Sequence, residues 1–134
     1  MIRVHTIINS TLEKVWEFWT QPEHIVKWNA ASADWHTTFA SNDLKVDGKF
    51  KSTMAAKDGS MQFDFEGVYT KVEWQSALEY VMSDGRKVHV FFQETPLGIE
   101  ITEHFDPEKQ NPESMQQQGW QAILDNFKRY TESN

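Results

Sequence analysis

Four turn signals cut the stretch from Lys49 to Phe105 into segments of alternating character, and that spacing leaves few folds open. Asp47-Gly48 precedes Lys49–Ala56, and Asp58-Gly59 separates that segment from Met61–Trp74. Asp84-Gly85 separates Ala77–Met82 from Lys87–Thr95, and Pro96-Leu97-Gly98 leads into Ile99–Phe105. Asp-Gly between alternating strands signals a hairpin, because both central residues tolerate positive φ. The expected product is an antiparallel meander of five strands. Phe50, Ser52 and Met54 share one face, as do Phe63 and Phe65, Leu78, Tyr80 and Met82, Val88, Val90 and Phe92, and Ile99 and Ile101. Lys, Gln, Asp, Glu and His dominate the opposite positions, so one face is solvated and the other covered. Ile2, Val4, Thr6 and Ile8 alternate in the same way and add a first strand.

Helices flank this β region. Ser10-Thr11-Leu12-Glu13 reads as a capping box with Ser10 at the N-cap. The helix it starts carries Leu12, Val15, Trp16 and Trp19 on one side and stops before Pro22. A second short helix, Pro22 to Trp28, turns Ile25 and Trp28 inward. Asn29 to Asn42 reads as a polar connection containing Asp34-Trp35-His36. At the far end Asn111 is expected to cap a long helix whose first position is Pro112. Met115, Trp120, Ile123, Leu124, Phe127 and Tyr130 recur there at helical spacing. Gly119 within that stripe costs about 1 kcal/mol relative to Ala, so a close approach of the helix backbone to another surface is expected. A long helix after a run of strands lies across the sheet. One helix cannot fill the concave side of six or seven twisted strands, so part of the aromatic face is expected to line a cavity.

The net charge is −7 and no Lys/Arg-rich run occurs, which argues against nucleic acid as a partner. With no cysteine, disulfides and thiolate metal sites are excluded. The apolar start, Met1 to Ile8, is too short for a signal-peptide core, and no run approaches the length of a membrane span. A single domain over residues 1–134, a cytoplasmic address, no membrane insertion, and a monomer or weak dimer are the resulting expectations.

Several segments coincide with a known family. Ile8-Asn9-Ser10-Thr11-Leu12-Glu13-Lys14-Val15-Trp16, Asp34-Trp35-His36-Thr37, Gly48-Lys49-Phe50 and Phe63-Asp64-Phe65-Glu66-Gly67-Val68-Tyr69 fit it. So do Phe105-Asp106-Pro107-Glu108 and, most specifically, Gly119-Trp120-Gln121-Ala122-Ile123-Leu124-Asp125-Asn126-Phe127. The chain resembles the activator of Hsp90 ATPase homologue 1-like branch of the START-like (Bet v 1-like, SRPBCC) superfamily. The resemblance implies an α+β helix-grip fold, in which a curved antiparallel sheet wraps a long C-terminal helix around a pocket. Members include lipid carriers, metabolite and hormone binders and a few enzymes, so the fold alone names no reaction. The chaperone activators that named the branch carry an additional N-terminal domain that is expected to be absent here, which weakens any transfer of chaperone stimulation.

Trp28, Phe50, Met54, Phe63, Phe65, Tyr80, Val90, Phe92, Trp120 and Leu124 are the expected cavity residues. An apolar or aromatic small molecule, or a lipid, is the expected occupant. A protein-interaction module touching a chaperone of the Hsp90 kind is the second reading, and a cyclase- or hydrolase-like enzyme using Tyr80 or His36 is the third. His36 sits alone in its loop, and Trp35 is expected to fold over the cavity rim. His104 and Asp106 share a strand face but supply only two metal donors, with no third fixed by spacing. Asp64 and Glu66 alternate against Phe63 and Phe65 and belong to the solvated side. No catalytic set, cofactor motif or metal site is read from the residues.

Overall fold

The alternating segments pair into one curled antiparallel sheet with strand order β1-β7-β6-β5-β4-β3-β2. The computed structural model describes all 134 residues. Its strands are β1 (Ile2–Ile8), β2 (Trp35–Asn42), β3 (Lys49–Ala56), β4 (Gln62–Glu73), β5 (Ala77–Met82), β6 (Lys87–Thr95) and β7 (Gly98–Phe105). The helices are α1 (Leu12–Thr20), α2 (Pro22–Trp28) and α3 (Glu113–Ser133). This is the expected helix-grip arrangement, with seven strands. The additional strand is β2, which lies inside the stretch Asn29–Asn42 read above as a connection. Only Thr37 is buried along it, and its pairing with β3 shifts at a bulge between Thr37 and Phe39. An edge strand with one bulge and mostly polar side chains carries little period-two signal.

α3 lies against β1, and its polar side chains satisfy backbone groups on the outer edge of that strand. The Gln121 side chain both accepts from the His5 N–H (3.4 Å) and donates to the His5 carbonyl (3.0 Å). Gln117 donates to the Arg3 carbonyl (3.1 Å), and the Lys128 ammonium donates to the Ile7 carbonyl. A strand edge left open would be a template for another chain, so this docking both anchors the helix and closes the edge.

Local corrections follow from hydrogen bonding. The N-cap of α1 is Thr11, whose hydroxyl accepts from the Lys14 N–H (3.2 Å), so the cap lies one residue past Ser10 and the expected box with Glu13 does not form. Pro112, at φ −58° and ψ 146°, is the N-cap of α3 rather than its first helical residue. Asn111 instead donates its N–H to Glu108 Oε1 (2.7 Å), and its carbonyl accepts from Gln116 Nε2 (2.8 Å). Positive φ falls on Gly59 and Gly85 alone in their turns, and on Asp47 rather than Gly48 in the third. Asp58 and Asp84 close those turns differently, each accepting from the N–H two residues on.

Gly119 overturns its expectation. A Cβ built there would meet nothing within 4 Å, so no surface approaches the helix backbone. Met115 is exposed, and Gln116 is the buried residue of the first turn. Gly119→Ala should therefore raise unfolding free energy by about 1 kcal/mol in urea melts. Destabilisation would mean that the backbone freedom of Gly119 is used. Close approach occurs instead at Gly48, Gly98 and Gly67; at Gly67 in β4 a Cβ would sit 2.6 Å from the Val81 carbonyl oxygen and 3.0 Å from ring atoms of Phe50. That gap lets the Phe50 ring lie down over the sheet.

Candidate functional site

The curl of the sheet leaves a cavity of about 330 Å³ between β3, β4, β5 and β7 on one side and α1, α2 and α3 on the other. Seven of the ten expected residues line it: Trp28, Phe50, Met54, Phe63, Phe65, Tyr80 and Trp120. Phe50 stands edge-on to Tyr80 at 4.7 Å, and Trp120 lies flat on Phe105 at 3.9 Å with its edge toward Phe65 at 5.9 Å. Phe63 is 48% exposed and forms the rim, where Trp35 packs against it at 5.8 Å.

Val90, Phe92 and Leu124 do not line the cavity and are core instead. Val90 and Leu124 are fully buried, and Phe92 is held edge-on by Trp16 (5.2 Å) and Trp19 (5.7 Å). Val90 and Phe92 are on the inner face of β6, where α1 covers Phe92, and Leu124 belongs to the same core cluster from α3. His36 is exposed on β2, away from the cavity. Asp64 is on the outside, accepting from Thr53 (2.8 Å) and 3.6 Å from Lys51. His104 pairs across β7 with Arg3 and His89, while Asp106 accepts from the Lys87 N–H (2.9 Å). No group of three or more His, Asp or Glu side chains could hold a metal ion.

The cavity wall also holds polar residues that the pattern reading passed over, and most are already satisfied. Tyr69 donates its hydroxyl to Asn42 Oδ1 (2.6 Å), and Asn42 donates to the Thr20 carbonyl (2.7 Å). Burial raises the Tyr69 hydroxyl above its ordinary pKa. Gln116 accepts from the Glu108 N–H (2.8 Å) and donates to the carbonyls of Glu108 (3.1 Å) and Asn111 (2.8 Å). Arg86 is committed to Asp84 through Nε (2.8 Å). The Trp28 indole N–H donates to the Phe18 carbonyl (2.8 Å).

Among the exceptions is Glu103. It is 6% exposed on the inner face of β7, flanked across the ladder by Val4 of β1 and Val90 of β6. No protein group pairs with its carboxyl, and burial among apolar neighbours pushes its pKa up to about 8. Tyr80 is its polar neighbour: burial first, and the Glu103 charge second, hold that hydroxyl well above its ordinary pKa. The signal for Glu103 was in the strand, since Ile99, Ile101 and Phe105 put residue 103 on the covered face.

Comparison with known proteins gives consistent relationships. The family model described as activator of Hsp90 ATPase homolog 1-like protein matches residues 9–132. The solution structure of an AHSA1-like protein from Aeromonas hydrophila is 50% identical, with a TM-score of 0.93 over 98% of this chain and 92% of that one. Chr148 from Cytophaga hutchinsonii is 53% identical, with a TM-score of 0.85 over 99% and 92% of the two chains. CV1439 from Chromobacterium violaceum, at 18% identity, TM-score 0.87 and coverage of 99% and 98%, shares the fold. No curated protein matches the chain.

Proposed function

Because the chain belongs to the activator of Hsp90 ATPase homolog 1-like family, we propose that it is a cytoplasmic binding protein for an aromatic or apolar small molecule. The observation that carries this reading is the roughly 330 Å³ space between sheet and α3, walled mainly by aromatic rings. Binding pockets run from about 300 to 1,000 Å³, so this one suits a metabolite of one or two rings better than a two-chain lipid. No helix is long and apolar enough to cross a membrane.

An environment-sensitive apolar dye should bind saturably with a stoichiometry near one and micromolar affinity. Met54 is 7% exposed on the cavity wall, and Met54→Trp places the larger ring in the empty volume. That variant should keep its far-UV spectrum and lose the dye, whereas Asp64→Asn on the outer face should bind as the parent does. Equal binding by Met54→Trp would place the dye elsewhere and defeat the proposal. The family description favours contact with an Hsp90-type chaperone as a second reading. It calls for stimulation of the chaperone's ATPase by the isolated domain, and unaltered turnover would dismiss it.

A further inference from the structure

Glu103 is a carboxyl without a protein partner in a cavity whose other charged side chains, Arg86 and Glu108, are hydrogen-bonded. Burying a carboxylate alone is costly, and a protein without use for the group would be more stable with an apolar residue there. The titratable and polar groups that share the cavity with it include Tyr80 of β5, Tyr69 of β4, Arg86 from the β5–β6 turn, Glu108 from the β7–α3 connection and Gln116 of α3. Arg86, the only cation among them, is bonded to Asp84. The space is left with one unmatched acid and with aromatic rings arriving from both helices and sheet, among them Trp19, Trp28, Phe50, Phe65 and Trp120. Ring faces attract organic cations, most strongly where water is excluded. The net charge of −7 draws cations toward the protein as a whole.

We infer that the natural ligand is an organic cation, an aromatic or alicyclic amine whose ammonium pairs with the Glu103 carboxyl while its hydrocarbon body lies among the rings. This rests on the ligand-binding reading above and names the class of ligand for that cavity. The Tyr80 hydroxyl is placed to accept a further N–H of the same ammonium. Near neutral pH the empty pocket holds Glu103 with its proton, since its pKa stands at about 8. Entry of the ammonium makes the ionised carboxylate the favoured form, and the displaced proton passes to the buffer.

Calorimetric titration with naphthylmethylamine, naphthylmethanol and naphthoic acid, in two buffers of different ionisation enthalpy near pH 7, separates the outcomes. The amine should bind at least about tenfold tighter than the alcohol and release nearly one proton, and the acid should bind weakest. In Glu103→Gln, with folding checked by its far-UV spectrum and thermal melt, amine and alcohol should bind alike and no proton should be released. If alcohol or acid binds as well as the amine, or the variant keeps the amine preference, the cation assignment fails and the binding reading stands. If none of the three binds, both fail.

Discussion

Unfolding free energy should fall by about 4 kcal/mol as the pH is raised from about 5 to about 9, and Glu103→Gln should remove most of that fall. The folded-state pKa of Glu103 is about 8 against an ordinary value of 4.5. Below about 4.5 the carboxyl carries its proton in both states and contributes no slope. Between about 4.5 and 8 the unfolded chain has lost the proton and the folded chain keeps it, so each step up in pH favours unfolding. Above about 8 both states are ionised and the curve flattens. At about 1.4 kcal/mol for each pKa unit, the gap amounts to nearly 5 kcal/mol, most of it inside the stated range. The groups with lowered pKa, Asp34, Asp58, Asp84 and Glu132, act in the opposite direction and at lower pH. Urea melts at a series of pH values give the measurement. Parallel curves for parent and variant would show that Glu103 is solvated or paired in solution.

Phe127→Ala should cost about 3–5 kcal/mol, the largest loss expected from any single truncation in α3. Phe127 is fully buried, with its ring edge-on to Trp19 at 4.9 Å and to Trp28 at 4.8 Å, so it ties α3 to both α1 and α2. The two rings against it belong to α1 and α2, and collapse into the hole would require both to move. Trp120→Ala removes a larger side chain but should cost less, near 2–3 kcal/mol. Trp120 is only partly buried and borders a space that is already open, so its removal enlarges a cavity rather than creating one in the packed core. Denaturant melts of both variants check the order. A Trp120→Ala loss exceeding that of Phe127→Ala would mean that the cavity is closed in solution and that Trp120 is core.

Turn chemistry and side-chain period made β3, β5 and β6 readable to the residue, because each is bounded by a Gly turn and alternates cleanly. β2 was missed for the opposite reason. Its pairing depends on β3, its inward positions are small or polar, and the bulge breaks the alternation. Alternation also tells which face a residue takes but not how far along the strand the helices close over it. That is why Phe50 and Tyr80 lie beside the cavity, while on the same face Val90 is fully buried and Phe92 is packed under α1. Gly119 invited a packing explanation that its surroundings do not support. The most consequential omission was Glu103. Its strand position pointed inward, yet a charged residue in an alternating strand is ordinarily assigned to water, and only the three-dimensional arrangement reveals that no partner reaches it.

The central claim is that a small molecule enters between the sheet and α3, and the six indole N–H signals of the protein provide site-resolved reporters. A nitrogen–proton correlation spectrum recorded during titration with naphthylmethylamine reads them together. Trp28 and Trp120 line the cavity, Trp16 is packed in the core, and Trp74 is 74% exposed on the far surface. The Trp28 and Trp120 signals should shift along saturating curves with a common affinity, while Trp74 stays in place and Met54→Trp abolishes the response. A spectrum in which Trp74 moves and Trp28 and Trp120 do not, or in which nothing moves at millimolar probe, would contradict the account.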